Sequence, residues 1–258
     1  MKKYGNWALV TGASAGIGEA YCFELAKLGY SIVLVARREE RMKEIASKLE
    51  KQFSVKTLVI PVDITQEDFL EKITAKTKDL EIGILVSNAG FGKGGKFIEL
   101  DQNKMAEMVK LNCVAPTILV HHFAKEMAKR KCGAIIHLAS VVAYQAVPYY
   151  AVYSATKAFN LIFGESLWHE LKENGIDSLV VSPGSTKSEF RQIAEIPENP
   201  HGMEAEEVVK ISLKKLGKRS SIATGFINKL PEFFSRILPR RLWIKIVADQ
   251  SKKNVGLD

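Results

Sequence analysis

Tyr153 and Lys157 stand four residues apart in Tyr153-Ser154-Ala155-Thr156-Lys157. On a helix that spacing sets both side chains on one face. Reducing a carbonyl takes hydride at carbon and a proton at oxygen, and a phenol can give that proton. Its unperturbed pKa of about 10 is high for the task, and a nearby ammonium lowers it by favouring the phenolate. Alone, such a pair is an ordinary helix face. Ser140 gives it company: it follows the apolar run Ala134–Ala139, at a strand end, where its hydroxyl can hold the oxygen being protonated. Asn112 lies inside the helix-length segment Lys104–Lys129, where a polar side chain must face water or find a partner. A water relaying protons behind Lys157 is one such partner.

A second stretch binds rather than reacts. Thr11-Gly12-Ala13-Ser14-Ala15-Gly16-Ile17-Gly18 follows the apolar Trp7–Val10 and opens a helix. In that context Gly12 turns the chain, Gly16 lets the backbone approach a diphosphate, and Gly18 lets helix and strand pack closely. The helix N-terminus offers free N–H groups to the phosphates. The next strand ends at Ala36-Arg37-Arg38. An acidic residue there would hold the ribose 2′-OH of NAD(H); guanidinium groups suit a 2′-phosphate. Arg37 and Arg38 therefore predict NADP(H) over NAD(H), with Arg37 the first choice for substitution. The competing reading is that they merely open the charged helix Arg37–Lys51. Asp63-Ile64, after the third strand, either flanks the adenine or sits in a solvent-facing loop.

These residues need a scaffold. Asn6–Thr11, Ser31–Ala36, Thr57–Pro61, Gly83–Ser87, Ala134–Ala139 and Ser178–Ser182 read as buried strands. Ile17–Leu28, Glu39–Lys51, Gln66–Lys78, Lys104–Lys129 and Val152–Glu173 carry helical periodicity. Such alternation implies right-handed βαβ units and a parallel sheet covered on both faces. The expected fold is α/β, a three-layer Rossmann-type doubly wound sheet. Without a repeat or a Gly/Ser linker, residues 1–258 are expected to form one domain. Within it, residues 190–203 are read as a substrate loop, Ala205–Gly217 as a helix, and residues 226–258 as a basic amphipathic helical extension.

Composition narrows the rest. Hydrophobic residues make up 47% of the 258-residue chain, too many for a disordered one. The three cysteines, Cys22, Cys113 and Cys132, form no CxxC pair, so neither a disulfide framework nor a metal site is expected. No signal-peptide core and no run of roughly 18 apolar residues is present, which points to a reducing, cytoplasmic setting. The net charge is +8, yet twelve Lys/Arg and three Asp/Glu lie between Lys210 and Asp258. The excess sits in the tail, so a nucleic-acid partner is not expected.

In these residues the chain resembles a classical short-chain dehydrogenase/reductase. Thr11–Gly18 matches the family's TGxxxGxG, Asn88-Ala89-Gly90 its NAG motif, and Pro183-Gly184 its PG turn beside the nicotinamide. Asn112, Ser140, Tyr153 and Lys157 match its catalytic tetrad in order and spacing. The resemblance implies proton donation by Tyr153, carbonyl orientation by Ser140, ribose binding and pKa lowering by Lys157, and a water held by Asn112. The cofactor set it implies comprises Gly12, Ser14, Gly16, Ile17, Gly18, Arg37, Arg38, Asp63, Ile64, Asn88, Ala89, Gly90, Tyr153, Lys157, Pro183, Gly184 and Thr186. The ending after Gly225 departs from members with a glycine-rich close. It is similar to NADP-dependent oxidoreductases and to long-chain 3-oxoacyl and 17β-hydroxysteroid reductases.

Substrate is expected between Val141–Ala151 and Phe190–His201, with Ser140, Tyr144, Tyr150 and Phe190 against it and Phe91 near. No Lys or Arg lies between Ser140 and Tyr153, which favours a neutral or lipophilic ketone. In the tail, Leu230, Phe233, Phe234, Ile237 and Leu238 can form an apolar stripe beside Arg236, Arg240, Arg241 and Lys245. A membrane surface, a lid over the pocket and a dimer contact all remain open for it. Family members pair through their two long helices, so a homodimer or homotetramer is expected, with Phe159, Leu161, Ile162, Phe163 and Trp168 either at that interface or in the core. A redox sensor that binds NADP(H) without catalysis is the alternative to the enzyme reading.

Overall fold

The structure is a computed structural model that describes residues 3–194, 202–225 and 239–256. Along the chain run β1 (Trp7–Thr11), α1 (Gly16–Lys27), β2 (Ser31–Ala36), α2 (Glu39–Phe53), β3 (Thr57–Pro61), α3 (Phe69–Thr77) and β4 (Ile82–Ser87). Then follow α4 (Gln102–Val109), α5 (Ala115–Arg130), β5 (Gly133–Leu138), α6 (Ala151–Glu170) and β6 (Ile176–Ser182). The last third holds β7 (Thr186–Lys187), α7 (Phe190–Ile193), β8 (Met203–Glu204), α8 (Ala205–Lys215), β9 (Ser221–Ala223) and α9 (Arg240–Asn254).

Seven strands form one sheet in the order β3-β2-β1-β4-β5-β6-β9, all parallel. Successive strand side chains point to opposite faces, and both faces are apolar because helices cover both. Val10, Leu34, Val86 and Ile136 pack with α1 and α8 on one side; Leu9, Val33, Leu85 and Ile135 pack with α3 and α5 on the other. This is the doubly wound three-layer fold expected. The chain steps outward from β1 to β3, returns to β4, and steps outward the other way. The reversal between β1 and β4 opens a crevice at their carboxyl ends, the place where such sheets bind ligands.

Three features differ from the sequence pattern. The long helix expected at Lys104–Lys129 runs from Gln102 to Arg130, but Lys110–Val114 is a π turn between α4 and α5. The helix expected at Gln66–Lys78 starts three residues later, because Gln66 N donates to Asp63 O in a turn. β9 and the β7–β8 ladder are two or three residues long, too short for periodicity to register. Among the described residues no helix is long and apolar enough to cross a membrane, and no group of His, Cys, Asp and Glu could hold a metal ion.

Candidate active site

α6 starts beside the end of β5, and its first two turns carry Tyr153 and Lys157, both buried. Lys157 Nζ donates to Leu138 O at 2.9 Å and stands 5.9 Å from the centre of the Tyr153 ring. Ser140 leaves β5 in extended backbone. Its Oγ accepts from Val142 N at 3.4 Å and donates to Pro183 O at 3.5 Å, which ties it to the PG turn. Burial outweighs every neighbour here. It pushes the Tyr153 phenol up to about 12, against a hydrogen bond with Ser140 that acts to lower it. It pushes Lys157 down to about 8. The lowering of Tyr153 expected from Lys157 is thus not what this environment produces: the ammonium is committed to a carbonyl, and desolvation of the phenolate dominates.

The π turn explains how Asn112 comes to point inward; such turns often sit at functional sites. Asn112 Nδ2 donates to Phe91 O at 2.9 Å and to Thr156 Oγ1 at 3.0 Å, and its Oδ1 accepts from Phe91 N at 3.2 Å. Its backbone carbonyl accepts from Asn160 Nδ2 at 2.9 Å. The side chain expected to hold water is therefore a clamp between the loop after β4 and α6. A Cβ at Gly90 would lie 2.9 Å from Asn112 Oδ1 and 3.4 Å from Lys157 Nζ, so the Asn88-Ala89-Gly90 stretch abuts the same corner.

Across the crevice, Gly12 has φ +67° and turns the chain out of β1. A Cβ on Gly18 would strike the carbonyl of Gly12, so strand and helix meet closely there. Asn88 Nδ2 donates to Thr11 O at 2.8 Å, and the backbone N–H groups of Asn88 and Ala89 both donate to Thr11 Oγ1 at 3.0 Å. Ala15 caps α1 without a side-chain hydrogen bond, which leaves first-turn N–H groups for an anion. The residues present thus fit a dinucleotide diphosphate.

The two arginines separate. Arg38 lies on the glycine loop, Nε donating to Ser14 Oγ at 3.2 Å and Nη2 to Ser14 O at 3.1 Å. Arg37 points outward, 3.9 Å from Asp63. Asp63 Oδ1 accepts from Thr65 N and Oγ1; the Ile64 and Ile17 side chains pack into the two core clusters. Thr186 Oγ1 donates to Gly184 O at 3.2 Å.

On the substrate side, the Phe190 ring lies 5.6 Å from that of Tyr153, and Tyr144 packs beside Ala143 and Leu161. α9 crosses the same loops. Trp243 Nε1 donates to Gln145 Oε1 at 2.7 Å. At the other end, a Cβ on Gly94 would lie 2.5 Å from Val255 Cγ1 and 2.7 Å from Tyr150 Cε1. The expected loop residues 195–201 and the tail residues Leu230, Phe233, Phe234, Arg236, Ile237 and Leu238 lie outside the described residues. Sequence reasoning missed Thr156 and Asn160, although Tyr153, Lys157, Asn160 and Gly164 follow one another on a single helix face. It also missed Glu189, 2.9 Å from Arg38, and Trp243, for which no local pattern gives a signal.

A glycine-cradled helix N-terminus and a corner of buried Tyr153 and Lys157 with half-buried Ser140, facing each other across one sheet edge, define an oxidoreductase of the Rossmann class. Residues 6–198 match the short chain dehydrogenase family, and the chain belongs to that family. It is 32% identical over 232 residues to a 7beta-hydroxysteroid dehydrogenase of Clostridium sardiniense, covering 88% of each chain. It is 31% identical over 254 residues to the very-long-chain 3-oxoacyl-CoA reductase of Mus musculus, covering 97% of this chain and 81% of that one. The solved short-chain dehydrogenase from Sphingobium yanoikuyae in complex with NADPH superimposes with a TM-score of 0.80 at 29% identity, covering 98% of this chain and 96% of that one. The protein is an enzyme of the dehydrogenase/reductase type that acts on small molecules.

Proposed function

We propose that the enzyme reduces a lipophilic ketone or 3-oxoacyl group to the alcohol with NADPH. The carrying observation is the Tyr153 phenol, buried and pushed by that burial up to about 12. At neutral pH it holds its proton, which makes it a donor to a developing alkoxide. Ser140 orients the carbonyl oxygen. Lys157 sits where its ammonium, released from Leu138 O, binds a ribose hydroxyl and favours the phenolate as the proton leaves. Asn112 fixes the loop and helix that carry this corner. The cofactor supplies hydride; Gly12, Gly16 and Gly18 seat its diphosphate, and Arg38 with Ser14 receives a 2′-phosphate, Arg37 standing further out.

Tyr144, Tyr150 and Phe190 supply an apolar wall, and the two named relatives act on a steroid and a very-long-chain acyl group. Residues 190–203 serve as substrate loop, and α9, the described part of the 226–258 extension, roofs the mouth through Trp243 and Val255. Leu242 and Ile246 face outward on α9 beside Arg240, Arg241 and Lys245, and support contact of a cytoplasmic enzyme with an anionic membrane surface. Exposed Val114, Ile118, Phe159 and Ile162 on the α5–α6 side support a homodimer or homotetramer.

The test is NADPH and NADH oxidation against short aldehydes, 3-oxoacyl thioesters, steroids and cyclic diketones, with Tyr153→Phe as control. Turnover lost in the variant, with cofactor still bound, supports the enzyme reading. Tight NADPH binding without turnover of any carbonyl promotes the sensor.

A further inference from the structure

Arg38 is shared between two partners. One edge of its guanidinium is held by Ser14 on the glycine loop; the other pairs with Glu189, Nη1 to Oε2 at 2.9 Å. The neighbours of Glu189 are engaged as well. A Cβ on Gly16 would lie 2.8 Å from Ser188 Cβ, so Ser188 rests on the phosphate cradle. Phe190 leans on the Tyr153 ring, and its Cζ lies 2.9 Å from where a Cβ on Gly92 would stand. Three consecutive residues thus touch the diphosphate site, the arginine assigned to the 2′-phosphate, and the phenol.

A carboxylate and a phosphate cannot both take the same edge of one guanidinium. They compete as like charges, and the phosphate carries more charge and more acceptor oxygens. We propose that Glu189 determines cofactor specificity: it is the counter-ion that an adenosine 2′-phosphate displaces from Arg38. Displacement frees the Ser188–Phe190 segment from the cradle and from Tyr153, so substrate enters after the phosphorylated cofactor. A cofactor without the 2′-phosphate leaves the pair intact and the segment in place. Discrimination then has two sources, affinity at Arg38 and access to Tyr153. This inference rests on the assignment of Arg38 to the 2′-phosphate.

The pair is about half exposed on both sides, at 48% and 44%, so its removal has a modest effect. Calorimetric titration of the full chain with 2′,5′-ADP and with 5′-AMP isolates the 2′-phosphate. Glu189→Gln is expected to tighten 2′,5′-ADP about two- to fivefold and to leave 5′-AMP unchanged. Arg38→Ala is expected to weaken 2′,5′-ADP roughly tenfold or more. Amide hydrogen exchange across residues 188–194 of the unaltered protein is expected to speed up on adding 2′,5′-ADP but not 5′-AMP. If Arg38→Ala has no effect, the 2′-phosphate assignment itself falls. If Arg38→Ala weakens binding while Glu189→Gln does not strengthen it, the competition is overturned and the assignment stands. If exchange does not respond to 2′,5′-ADP, the release of the segment is overturned.

Discussion

Lys157 should reveal itself in the pH dependence of stability. Burial holds it at about 8 against an ordinary 10.5. Each unit is worth about 1.4 kcal/mol, so the charged side chain opposes folding by about 3 kcal/mol. Below pH 8 the folded and unfolded chains both carry the proton and the whole penalty stands. Between about pH 8 and 10.5 the unfolded chain binds more proton than the folded one, so stability rises with pH over that window. Lys157→Met keeps the length and removes the titration. It also strips Leu138 O of its donor, which costs about 1–3 kcal/mol, so the two proteins should be of similar stability at pH 7. The slope separates them: from pH 7 to pH 10 the original protein should gain about 2.5 kcal/mol on the variant. Tyr4, Tyr21 and Cys22 are pushed upward by burial in both proteins, so their alkaline losses cancel in the difference. Urea unfolding midpoints of both proteins at a series of pH values, without added cofactor, give the curve. Parallel lines would refute the argument, since a lysine that titrates alike in both states carries no desolvation penalty.

Gly18→Ala should lower Tm by roughly 3–10 °C, the overpacking cost of a methyl forced against the Gly12 carbonyl, and should weaken NADPH binding; differential scanning fluorimetry with and without NADPH reads both. Arg38→Ala should raise the NADPH KM roughly tenfold or more while Arg37→Ala changes it by less than about threefold, with the KM for NADH unaffected in each; steady-state kinetics with both cofactors would show equal KM effects if the 2′-phosphate is read elsewhere. Trp243→Phe removes the donor to Gln145 and should change KM for bulky ketones several-fold with little change for short aldehydes. Equal shifts for both substrate classes would mean that α9 does not form the roof.

The sheet was legible because its central strands are buried on both faces: runs such as Gly83–Ser87 and Ala134–Ala139 have no exposed side on which polar residues could blur them. The residues proposed to react were legible for a different reason. Tyr153 and Lys157 are set by helix spacing, Ser140 by the strand end, and the glycines by steric need at the Gly12–Gly18 crossing. Partnerships that span the chain were not legible. The Arg38–Glu189 pair joins residues 151 positions apart in numbering, and Trp243 meets Gln145 across 98. Nothing local to either end encodes the meeting. The π turn escaped because the chain is helical on both sides of it and Lys110–Val114 itself carries no Pro or Gly to mark the change of turn.

The same burial explains both pKa shifts and bears on the proposed reduction. Desolvation favours neutral forms, so it raises the phenol and lowers the ammonium at once. A phenol near 12 is almost wholly protonated at pH 7, ready for the reductive step, while the oxidative step needs a phenolate present at about one part in 10⁵. Added positive charge favours the phenolate, and Lys157, 5.9 Å from the ring centre, is a cation placed to provide it. It does so poorly while it donates to Leu138 O. A ligand hydroxyl that draws Nζ away from that carbonyl would strengthen its pull on the phenol. The acid strength of Tyr153 is then set by what else occupies the crevice, and a clamp such as Asn112, which holds the β4 loop against α6, matters because it fixes the distance over which that pull acts.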